Sequence, residues 1–480
     1  MHLAASSLAP SEQEVDVLVI GVASDDEMTG PLADLDRLTG GIVRRLREHK
    51  EFEGNEGESI RFPLPPAALA RWAILVGLGK RSAVNAVRVQ WAASIATRQI
   101  ATKADRKAAY YFAPGLAAAG ICGAFIGSEG QDLYRKTKNT YPLAEIRWHG
   151  ASEADLAEGR QMGESINLTR RLVNQPPNIL FPQSFAEQAI ETAEAVGLGV
   201  EVWDEGRLHL EGCRAMLAVG QGSLHPPRLV LLKYVGTDPN TPPIALVGKG
   251  VTFDSGGYSI KPTDGMKDMK CDMAGAATVL GAMRAIALRK PKVNVLGVLG
   301  LVENLVSGNA YKLGDVIKAR SGKTIEVLNT DAEGRIVLAD ALDVACTKGA
   351  TKLVDLATLT GACVVALGNE VAGLMTNDAA WGGKVKEAAK RCGEYVWELP
   401  MHSEFGDQIR SQVADIKNVG NGRWGGAITA AKFLEEFVRE RPWVHLDIAG
   451  PAFAESPKAW IDAGGSGFGV RTLVDLIEHA

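Results

Sequence analysis

Residues 243–277 read PIALVGKGVTFDSGGYSIKPTDGMKDMKCDMAGAA, and this stretch decides the fold of the chain. It opens with a near-continuous apolar run, which is typical of a strand buried on both faces of a sheet. A glycine-rich loop with Lys249 and Asp254 follows, and the helical stretch 273–290 comes next. A buried strand, a polar loop and an apolar helix in this order predict one unit of an α/β sheet, with the loop at the strand's carboxyl end.

Similar apolar runs recur on either side of this stretch, at 227–236, 293–303, 352–358, 371–377 and 443–450. Helical stretches alternate with them, at 334–348, 383–393 and 430–440. The alternation predicts a three-layer α/β domain with a largely parallel or mixed central sheet. Two short strand patterns flank Ser321 and Gly322, which predicts an inserted antiparallel hairpin.

The first part of the chain predicts a second, smaller α/β domain. Strand-like runs occur at 16–22, 72–78, 108–114 and 145–150, and longer helical stretches lie between them. A helical pattern over 155–173 then stops at Asn174-Gln175-Pro176-Pro177. We place the boundary near residue 160, so that residues 1–160 form an N-terminal domain and residues 161–480 a larger C-terminal domain.

Composition limits the class of protein. The chain has 480 residues, 46% of them hydrophobic, which is enough to bury a large core. It carries 57 acidic and 52 basic residues, a formal charge of -5, so the chain as a whole is not a phosphate-binding polycation. Six scattered cysteines with no paired spacing, together with an N-terminus that lacks the basic segment of a signal peptide, predict a cytoplasmic protein without a membrane span.

Two nucleotide-binding patterns are incomplete. The SGKT run at 321–324 lacks the first glycine of a P-loop, because Ile317 stands at that position. The Gly77-Leu78-Gly79-Lys80 run lacks the third glycine of the dinucleotide fingerprint. The eight histidines show no metal-binding spacing, so each is read as an ordinary core or surface histidine.

Charged residues concentrate in two loops of the larger C-terminal domain. The first carries Lys249, Asp254, Lys261 and Asp272, and the second, at 329–335, reads NTDAEGR. Both loops follow predicted strands, and open α/β sheets bind ligands at the carboxyl ends of their strands. Clustered carboxylates without cysteine or histidine favour divalent cations such as Mg, Mn or Zn, and a bridging carboxylate shared by two ions would explain the density of acids.

Structural explanations stay open for several of these residues. Asp272 precedes a helix and is a candidate N-cap, while Asp331 and Glu333 are candidates for ordering the turn before the next helix. Asp264 and Asp268 are read as solvated loop carboxylates. Lys249 is unusual for a surface lysine, because it follows a buried strand in a loop crowded with acids; next to cations it would coordinate as a neutral amine.

The NTDAEGR run, together with VGKGVTFDSGG, SIKP and MKCDMAGAA, resembles the leucyl aminopeptidase family, the cytosol or PepA-type aminopeptidases of peptidase family M17. The resemblance extends from about Leu172 to the C-terminus. It implies that residues 161–480 form the catalytic domain and residues 1–160 a domain with an oligomeric or regulatory role. It implies a metal-dependent exopeptidase that releases N-terminal amino acids by means of a water activated by two metal ions, Mn or Zn. The implied metal ligands are Lys249, Asp254, Asp272, Asp331 and Glu333, with Asp254 and Glu333 bridging.

The resemblance also implies the remaining site residues. Lys261 would donate to the developing oxyanion, and Arg335 would hold a bicarbonate ion that serves as general base. The implied substrate-binding residues, which give a broad preference for Leu and other apolar N-terminal residues, are Met269, Thr358, Leu359, Gly361, Ala449 and Ala452.

The expected partners are peptide substrates and further copies of the chain in a homohexamer, with no membrane. Nucleic acid is an alternative partner: some bacterial relatives act as DNA-binding accessory factors, and RRLREHK at 44–50 is a local basic patch. A third interpretation keeps the two-metal site but assigns it to phosphoester hydrolysis.

Overall fold

Two units make up the chain in the computed structural model, which describes residues 1–480. Unit 1 comprises Met1–Asn167 and Ser456–Ala463, and unit 2 comprises Leu168–Glu455 and Gly464–Ala480. Both units are built on mixed sheets, so the predicted α/β class is confirmed.

Unit 1 contains a six-stranded sheet in the order β1-β6-β5-β2-β4-β3, in which only β3 runs antiparallel to its neighbour. Its strands are β1 His2–Ser6, β2 Val17–Val22, β3 Ser59–Pro63, β4 Trp72–Gly77, β5 Lys107–Tyr111 and β6 Glu145–His149. Its helices are α1 Gly30–Leu38, α2 Ile42–Glu48, α3 Ala86–Ile100, α4 Ala117–Gly127 and the first part of α5 Glu153–Asn174.

Strand β2 shows why this sheet reads as continuous apolar runs. Val17 and Val19 pack into a cluster with α3 and α4, whereas Leu18 and Ile20 pack into a second cluster with α1 and α2. Alternate side chains of a strand point to opposite faces, so a sheet covered on both faces needs apolar residues at every position. The sequence did not predict β1 and β3, which are edge strands with partly exposed side chains.

Helix α5 begins in unit 1 and ends in unit 2 at Asn174, directly before Gln175-Pro176-Pro177. This end agrees with the helix stop read from the two prolines. The predicted division of the chain near residue 160 lies within this helix.

Unit 2 holds the remaining elements. Its strands are β7 Gly199–Trp203, β8 Arg228–Tyr234, β9 Ile244–Asp254, β10 Val295–Asn304, β11 Val316–Lys318, β12 Thr324–Glu326, β13 Lys352–Ala357, β14 Val371–Thr376, β15 Tyr395–Glu398, β16 Ile416–Lys417, β17 Trp443–Asp447, β18 Phe453–Ala454 and β19 Gly464–Gly465. Its helices are α6 Pro182–Val196, α7 Glu205–Glu211, α8 Arg214–Gly220, α9 Thr263–Met266, α10 Ala274–Arg289, α11 Glu333–Thr347, α12 Gly361–Leu367, α13 Ala379–Cys392, α14 Gly426–Glu435 and α15 Val470–Glu478.

The main sheet of unit 2 has eight strands in the order β15-β14-β17-β13-β9-β10-β8-β7. The central strands β17, β13, β9 and β10 run parallel, and antiparallel pairs occur toward both edges. Helices α6, α10, α13 and α15 pack on one another in one group, and α8, α11 and α14 pack in another. The carboxyl ends of the central parallel strands therefore meet at one edge of the sheet.

Two predictions at the periphery have different outcomes. The hairpin at 315–328 is confirmed, since β11 and β12 pair antiparallel around Ser321 and Gly322. The helical stretch 430–440 is wrong at its end, because α14 stops at Glu435. Arg439 and Glu440 both adopt positive φ values in the left-handed region. An α-helix does not accommodate this conformation.

One helical stretch, Thr263–Arg289, has the length and apolar composition of a membrane span. In its apolar window, 89% of the residues are buried inside the protein. Its apolar character is therefore that of a core helix packed against β9 and β10.

Candidate metal centre

Lys249 lies within β9, and not in the loop after it as the sequence predicted, because the strand continues through the glycines to Asp254. Its side chain is buried among acidic groups. Its Nζ atom is 2.8 Å from Asp272 Oδ1 and 2.9 Å from Glu333 Oε1, and it donates to the carbonyl oxygen of Thr358 at 3.0 Å. The Lys249 side chain is only 3% exposed. A buried lysine needs partners for its charge and its donors, and these three oxygens supply them.

Gly334, in the NTDAEGR run, makes room for this lysine. A Cβ atom at position 334 would lie 2.7 Å from Cδ, 2.5 Å from Cε and 2.6 Å from Nζ of Lys249. These distances are shorter than any ordinary van der Waals contact, so a larger residue would push Lys249 out of the cluster. The absence of a side chain at Gly334 thus allows α11 to approach β9 closely.

Asp254, Asp272 and Glu333 form a buried acidic cluster. One carboxylate oxygen from each lies within 4.8 Å of the others, and all three residues are buried. Asp272 Oδ2 and Glu333 Oε2 have no hydrogen-bond partner although they are shielded from solvent. Buried carboxylates without partners are costly unless a cation binds them, so these three residues fit a divalent metal ion.

The structural explanations left open by the sequence are now decided. The N-cap of α10 is Met273, which makes no side-chain capping bond, so Asp272 is not a cap. The turn before α11 is ordered by Asn329, whose Oδ1 accepts from the backbone N–H of Asp331 at 2.8 Å. The side chain of Asp264 is 98% exposed, as predicted for a solvated loop carboxylate.

Lys261 reaches the same cluster from the loop after β9. Its Nζ atom lies 2.8 Å from Asp254 Oδ2 and 2.5 Å from Asp331 Oδ1. The loop reverses at Gly256, which has a positive φ and where a Cβ atom would lie 2.5 Å from the Ser259 carbonyl oxygen. A residue with a side chain would be strained in this conformation, so the glycine is required by the turn that brings Lys261 back.

Arg335 lies in the first turn of α11 and is 8% exposed. Its Nη1 donates to the carbonyl oxygen of Asn418 at 2.9 Å, while its buried Nε has no partner. Burial lowers the pKa of Arg335 to about 10, although the negative charges of Glu333 and Asp447 oppose this change. An unpartnered guanidinium donor at the edge of the cluster is suited to bind an anion.

Mutual proximity perturbs the titration of these groups. Burial raises the pKa of Asp272 well above its ordinary value, despite the nearby ammonium of Lys249. Burial also raises the pKa of Asp254, and the charge of Glu333 adds to the increase. For Lys249, burial favours the neutral amine, but the charges of Asp272, Glu333 and Asp254 outweigh it and raise the pKa. The predicted neutral amine thus depends on cations that offset these negative charges.

The predicted substrate residues lie on three segments of unit 2. Thr358 is in direct contact with the cluster, since its Oγ1 donates to Asp272 Oδ1 at 2.7 Å. Leu359 follows it, and Gly361 is exposed at the start of α12. Met269 opens the 3-10 helix that carries Asp272. Ala449 is half-buried and Ala452 is buried, both beyond the end of β17.

Two further residues at strand ends were missed in the sequence. Asn304 ends β10, and its Nδ2 donates to Asp254 Oδ1 at 2.8 Å and to the Thr330 carbonyl at 3.0 Å. Asp447 ends β17 and accepts hydrogen bonds from Leu359 and Thr360. The criterion that selected Asp254, a polar residue at the carboxyl end of a buried strand, would have selected both.

Two family models match the sequence. The model of the cytosol aminopeptidase family, catalytic domain, matches residues 167–474, and that of the cytosol aminopeptidase family, N-terminal domain, matches residues 19–138. A "probable cytosol aminopeptidase" of Rhodopirellula baltica is 50% identical over 486 residues, covering 98% of this chain and 95% of the relative. A protein of the same description from Koribacter versatilis is 41% identical over 512 residues, covering 100% and 99%.

Solved structures agree with this similarity. The bottromycin maturation enzyme BotP in complex with Mn superposes with a TM-score of 0.87 at 35% identity, covering 97% of this chain and 99% of that one. A mutant of tomato leucine aminopeptidase superposes with a TM-score of 0.89 at 33% identity, covering 100% and 97%. Fold and sequence are thus shared over nearly the whole length of the chain.

Proposed function

The chain belongs to the cytosol aminopeptidase family and is a metal-dependent aminopeptidase, and we propose that it releases N-terminal residues, with a preference for Leu and other apolar side chains, from peptides. The observation that carries this proposal is the buried acidic cluster, in which two carboxylate oxygens lack any partner. A cluster of this kind fits a metal site at the position where an α/β sheet places its ligands.

We propose that two divalent ions, Mn or Zn, bind at Lys249, Asp254, Asp272, Asp331 and Glu333. The four carboxylates carry a formal charge that matches two divalent cations, which leaves Lys249 free to act as a neutral ligand. A relative of the same fold has been solved with Mn, which supports the choice of ion. Such ions, when bound, lower the pKa of water and polarise a carbonyl group.

Lys261 and Arg335 have separate roles in this proposal. The Lys261 ammonium, which already contacts Asp331 and Asp254, donates a hydrogen bond to the oxygen of the scissile carbonyl as negative charge develops there. Arg335 would hold a bicarbonate ion with the guanidinium donor that lacks a partner. The planar fork of arginine suits a planar oxyanion. A bicarbonate bound there would supply the general base.

Selectivity for a free N-terminus follows from the position of Asp272. With metal bound, a neutral α-amine of the substrate would serve as a metal ligand near this carboxylate, whereas the nitrogen of an internal amide would not. The side chain of the first residue would lie against a set of five residues, with Leu359 receiving the leaving group; the five are Met269, Thr358, Gly361, Ala449 and Ala452. A Cβ atom at Gly361 would meet no atom within 4 Å, which supports open space on this side of the site.

The proposal is tested with L-leucine-p-nitroanilide. Purified protein is assayed before chelation, after chelation and after re-addition of Mn or Zn, with the N-acetylated substrate as control. We expect release of p-nitroaniline that disappears on chelation, returns with metal and is absent for the blocked substrate. Equal activity on the blocked substrate contradicts the exopeptidase role, and hydrolysis of a phosphate ester instead of the amide favours the phosphoester alternative.

DNA binding is the alternative that the basic patch at 44–50 suggested. In the structure, Arg47 donates to the backbone carbonyls of Asp26 and Ser24, and Arg44 lies 3.6 Å from Asp36. These two side chains are therefore engaged within unit 1. Retardation of DNA that weakens with salt and persists in a metal-site variant would support the alternative.

We propose that the chain assembles into a homohexamer. We also propose that it acts in the cytoplasm, which agrees with the name of the family. Light scattering coupled to size-exclusion chromatography tests this assembly, with an expected mass six times the 51.0 kDa of the chain. A monomeric mass at micromolar concentration would contradict it.

A further inference from the structure

Asp447 is a fully buried carboxylate at the end of β17, outside the acidic cluster. Its Oδ1 accepts from the backbone N–H groups of Leu359 at 3.2 Å and Thr360 at 3.4 Å, and from that of Ala449 at 3.2 Å. Its Oδ2 accepts from Thr360 Oγ1 at 2.6 Å. One carboxylate thus binds two different loops, each of which carries residues assigned to the substrate.

The loop at 358–361 is held at its other end by the acidic cluster. Thr358 donates through Oγ1 to Asp272 Oδ1 at 2.7 Å, and its carbonyl accepts from Lys249 Nζ at 3.0 Å. Residues 358 to 360 therefore join the cluster at one end to Asp447 at the other. A shift at Asp447 would move this loop relative to the cluster.

The Thr360 hydroxyl fixes the direction of the bond to Asp447. Thr360 is the N-cap of α12, and its Oγ1 accepts from the Cys363 backbone N–H at 3.0 Å. The hydroxyl proton therefore points to Asp447 Oδ2, which must be an acceptor. An amide nitrogen at that place would present a donor to the hydroxyl and break the pairing.

We propose that Asp447 is a positioning residue that sets the distance between the 358–361 loop and the 449–452 loop, and thereby the selectivity for the first side chain of the substrate. This inference rests on the proposed function. Asp447 touches neither substrate nor metal ligand; it acts through the backbones of Leu359, Thr360 and Ala449. Small displacements of groups that orient a substrate cost large factors in rate, so its effect on catalysis exceeds its effect on folding.

The experiment compares kcat and KM for L-leucine- and L-alanine-p-nitroanilide in the metal-loaded wild-type protein and in Asp447→Asn. We expect kcat/KM for the leucine substrate to fall by about 10- to 100-fold. The ratio of the leucine to the alanine value should fall by about fivefold or more, because a loosened pocket discriminates less between side chains. Metal content, measured on the same samples, should be unchanged.

Two Thr360 variants and one control make the test independent of overall stability. Thr360→Val removes the hydroxyl that donates to Asp447 and should lower the ratio, whereas Thr360→Ser keeps the hydroxyl and should restore most of it. Glu394→Gln is the matched control, since Glu394 is a buried carboxylate that accepts from Gly469 and Thr472 at the start of α15. This control should lower Tm and leave the ratio unchanged.

An unchanged ratio in Asp447→Asn, or in Thr360→Val if the first variant does not fold, overturns the positioning role. A ratio that falls equally in Glu394→Gln also overturns it, because general destabilisation would then be the cause. A wild-type protein inactive on both amides contradicts the proposed function, and the positioning role with it. Activity in the wild type with an unchanged ratio contradicts only the role of Asp447.

Discussion

The two units share an architecture, but only in unit 2 is a cluster of carboxylates and a lysine buried at the strand ends. In unit 1, β4 is followed by Lys80, which is exposed to solvent. In unit 2, Lys249 lies within a buried strand and contacts two buried carboxylates. The strand ends of an α/β sheet therefore offer a position for a ligand site. In unit 2 this position becomes a candidate site because charged side chains are buried together there.

One buried polar pair of unit 1 contrasts with the acidic cluster of unit 2. In unit 1 the Tyr110 hydroxyl lies 2.7 Å from Thr97 Oγ1, and both are neutral. Burial raises the pKa of Tyr110 above its ordinary value, so that the hydroxyl stays protonated. In unit 2, Asp272 and Glu333 each keep a buried oxygen without a partner. A satisfied polar pair stabilises a fold, whereas an unsatisfied charged group indicates a ligand.

Removal of Asp254, the carboxylate proposed to bridge the two ions, should have the largest effect. Asp254→Ala is expected to lose bound metal and to reduce kcat/KM on the order of 10³-fold or more, because an essential member of the catalytic set is missing. Metal analysis after dialysis, together with the aminopeptidase assay, measures both. Asp264→Ala, in the same loop but 98% exposed, is the control and should retain both. Two ions retained in Asp254→Ala would contradict the bridging role.

Substitution of Lys261 or Arg335, the two residues proposed to act in catalysis, should reduce the rate without removing metal. We expect Lys261→Ala and Arg335→Ala each to lower kcat by at least about 100-fold, the effect of losing an oxyanion donor or a positioned base. Metal content should remain that of the wild type. Lys267→Ala, an exposed lysine of the neighbouring segment, serves as control. Loss of either ion in the Lys261 or Arg335 variant would show that the side chain supports metal binding instead.

Alanine at position 334 should show whether metal affinity depends on the position of Lys249 in addition to the carboxylates of the acidic cluster. Gly334→Ala leaves every carboxylate in place but displaces Lys249. We therefore expect metal affinity to fall by about 10- to 100-fold. Overpacking should also lower the free energy of unfolding by about 1–3 kcal/mol. Competition with a metallochromic chelator and chemical denaturation measure these two quantities.

The control for this change is Gly383→Ala in α13, where a Cβ atom would meet nothing within 4 Å. Alanine there should stabilise the helix by about 0.5–1 kcal/mol and leave metal affinity unchanged. If Gly334→Ala bound metal as tightly as the wild type, the close approach of α11 to Lys249 would not be required for metal binding.

The smallest effect is expected at Lys80 in unit 1, whose side chain is exposed. Lys80→Ala should change the free energy of unfolding by less than about 0.5 kcal/mol and kcat/KM by less than about twofold. Steady-state kinetics and denaturation compare it with Lys249→Ala, which should lose metal. A marked loss of activity in Lys80→Ala would break the comparison, because it would assign unit 1 a part in catalysis.

Much of the fold was predictable because its central strands are buried on both faces. All ten residues of β10 are buried, and such a strand needs an unbroken apolar run that stands out in the sequence. The edge strands β1 and β3 were missed because their half-exposed side chains form no such apolar run. The end of α14 was misjudged because Arg439 is held in a left-handed conformation, where its Nε also donates to Asp343.

The residues of the candidate site likewise include some that the sequence predicted and some that it did not. Lys249, Asp254, Asp272, Asp331 and Glu333 were proposed as ligands because the resemblance of their two sequence segments to a known family is specific. Asn304 and Asp447 come from separate strands whose ends carry no distinctive motif. Their contacts with Asp254 and with the loop at 358–361 depend on strand order, which no local pattern encodes.

The sequence by itself determined the α/β class, the family and the residue types of the metal centre, because apolar periodicity and motif spacing are local properties of the chain. Only the tertiary structure decided that Lys249 lies between Asp272 and Glu333, that Gly334 must lack a side chain, and that Asp447 joins two loops. These facts depend on which strands are neighbours and how closely helices pack on them. Long-range packing of that kind arises from the whole folded chain.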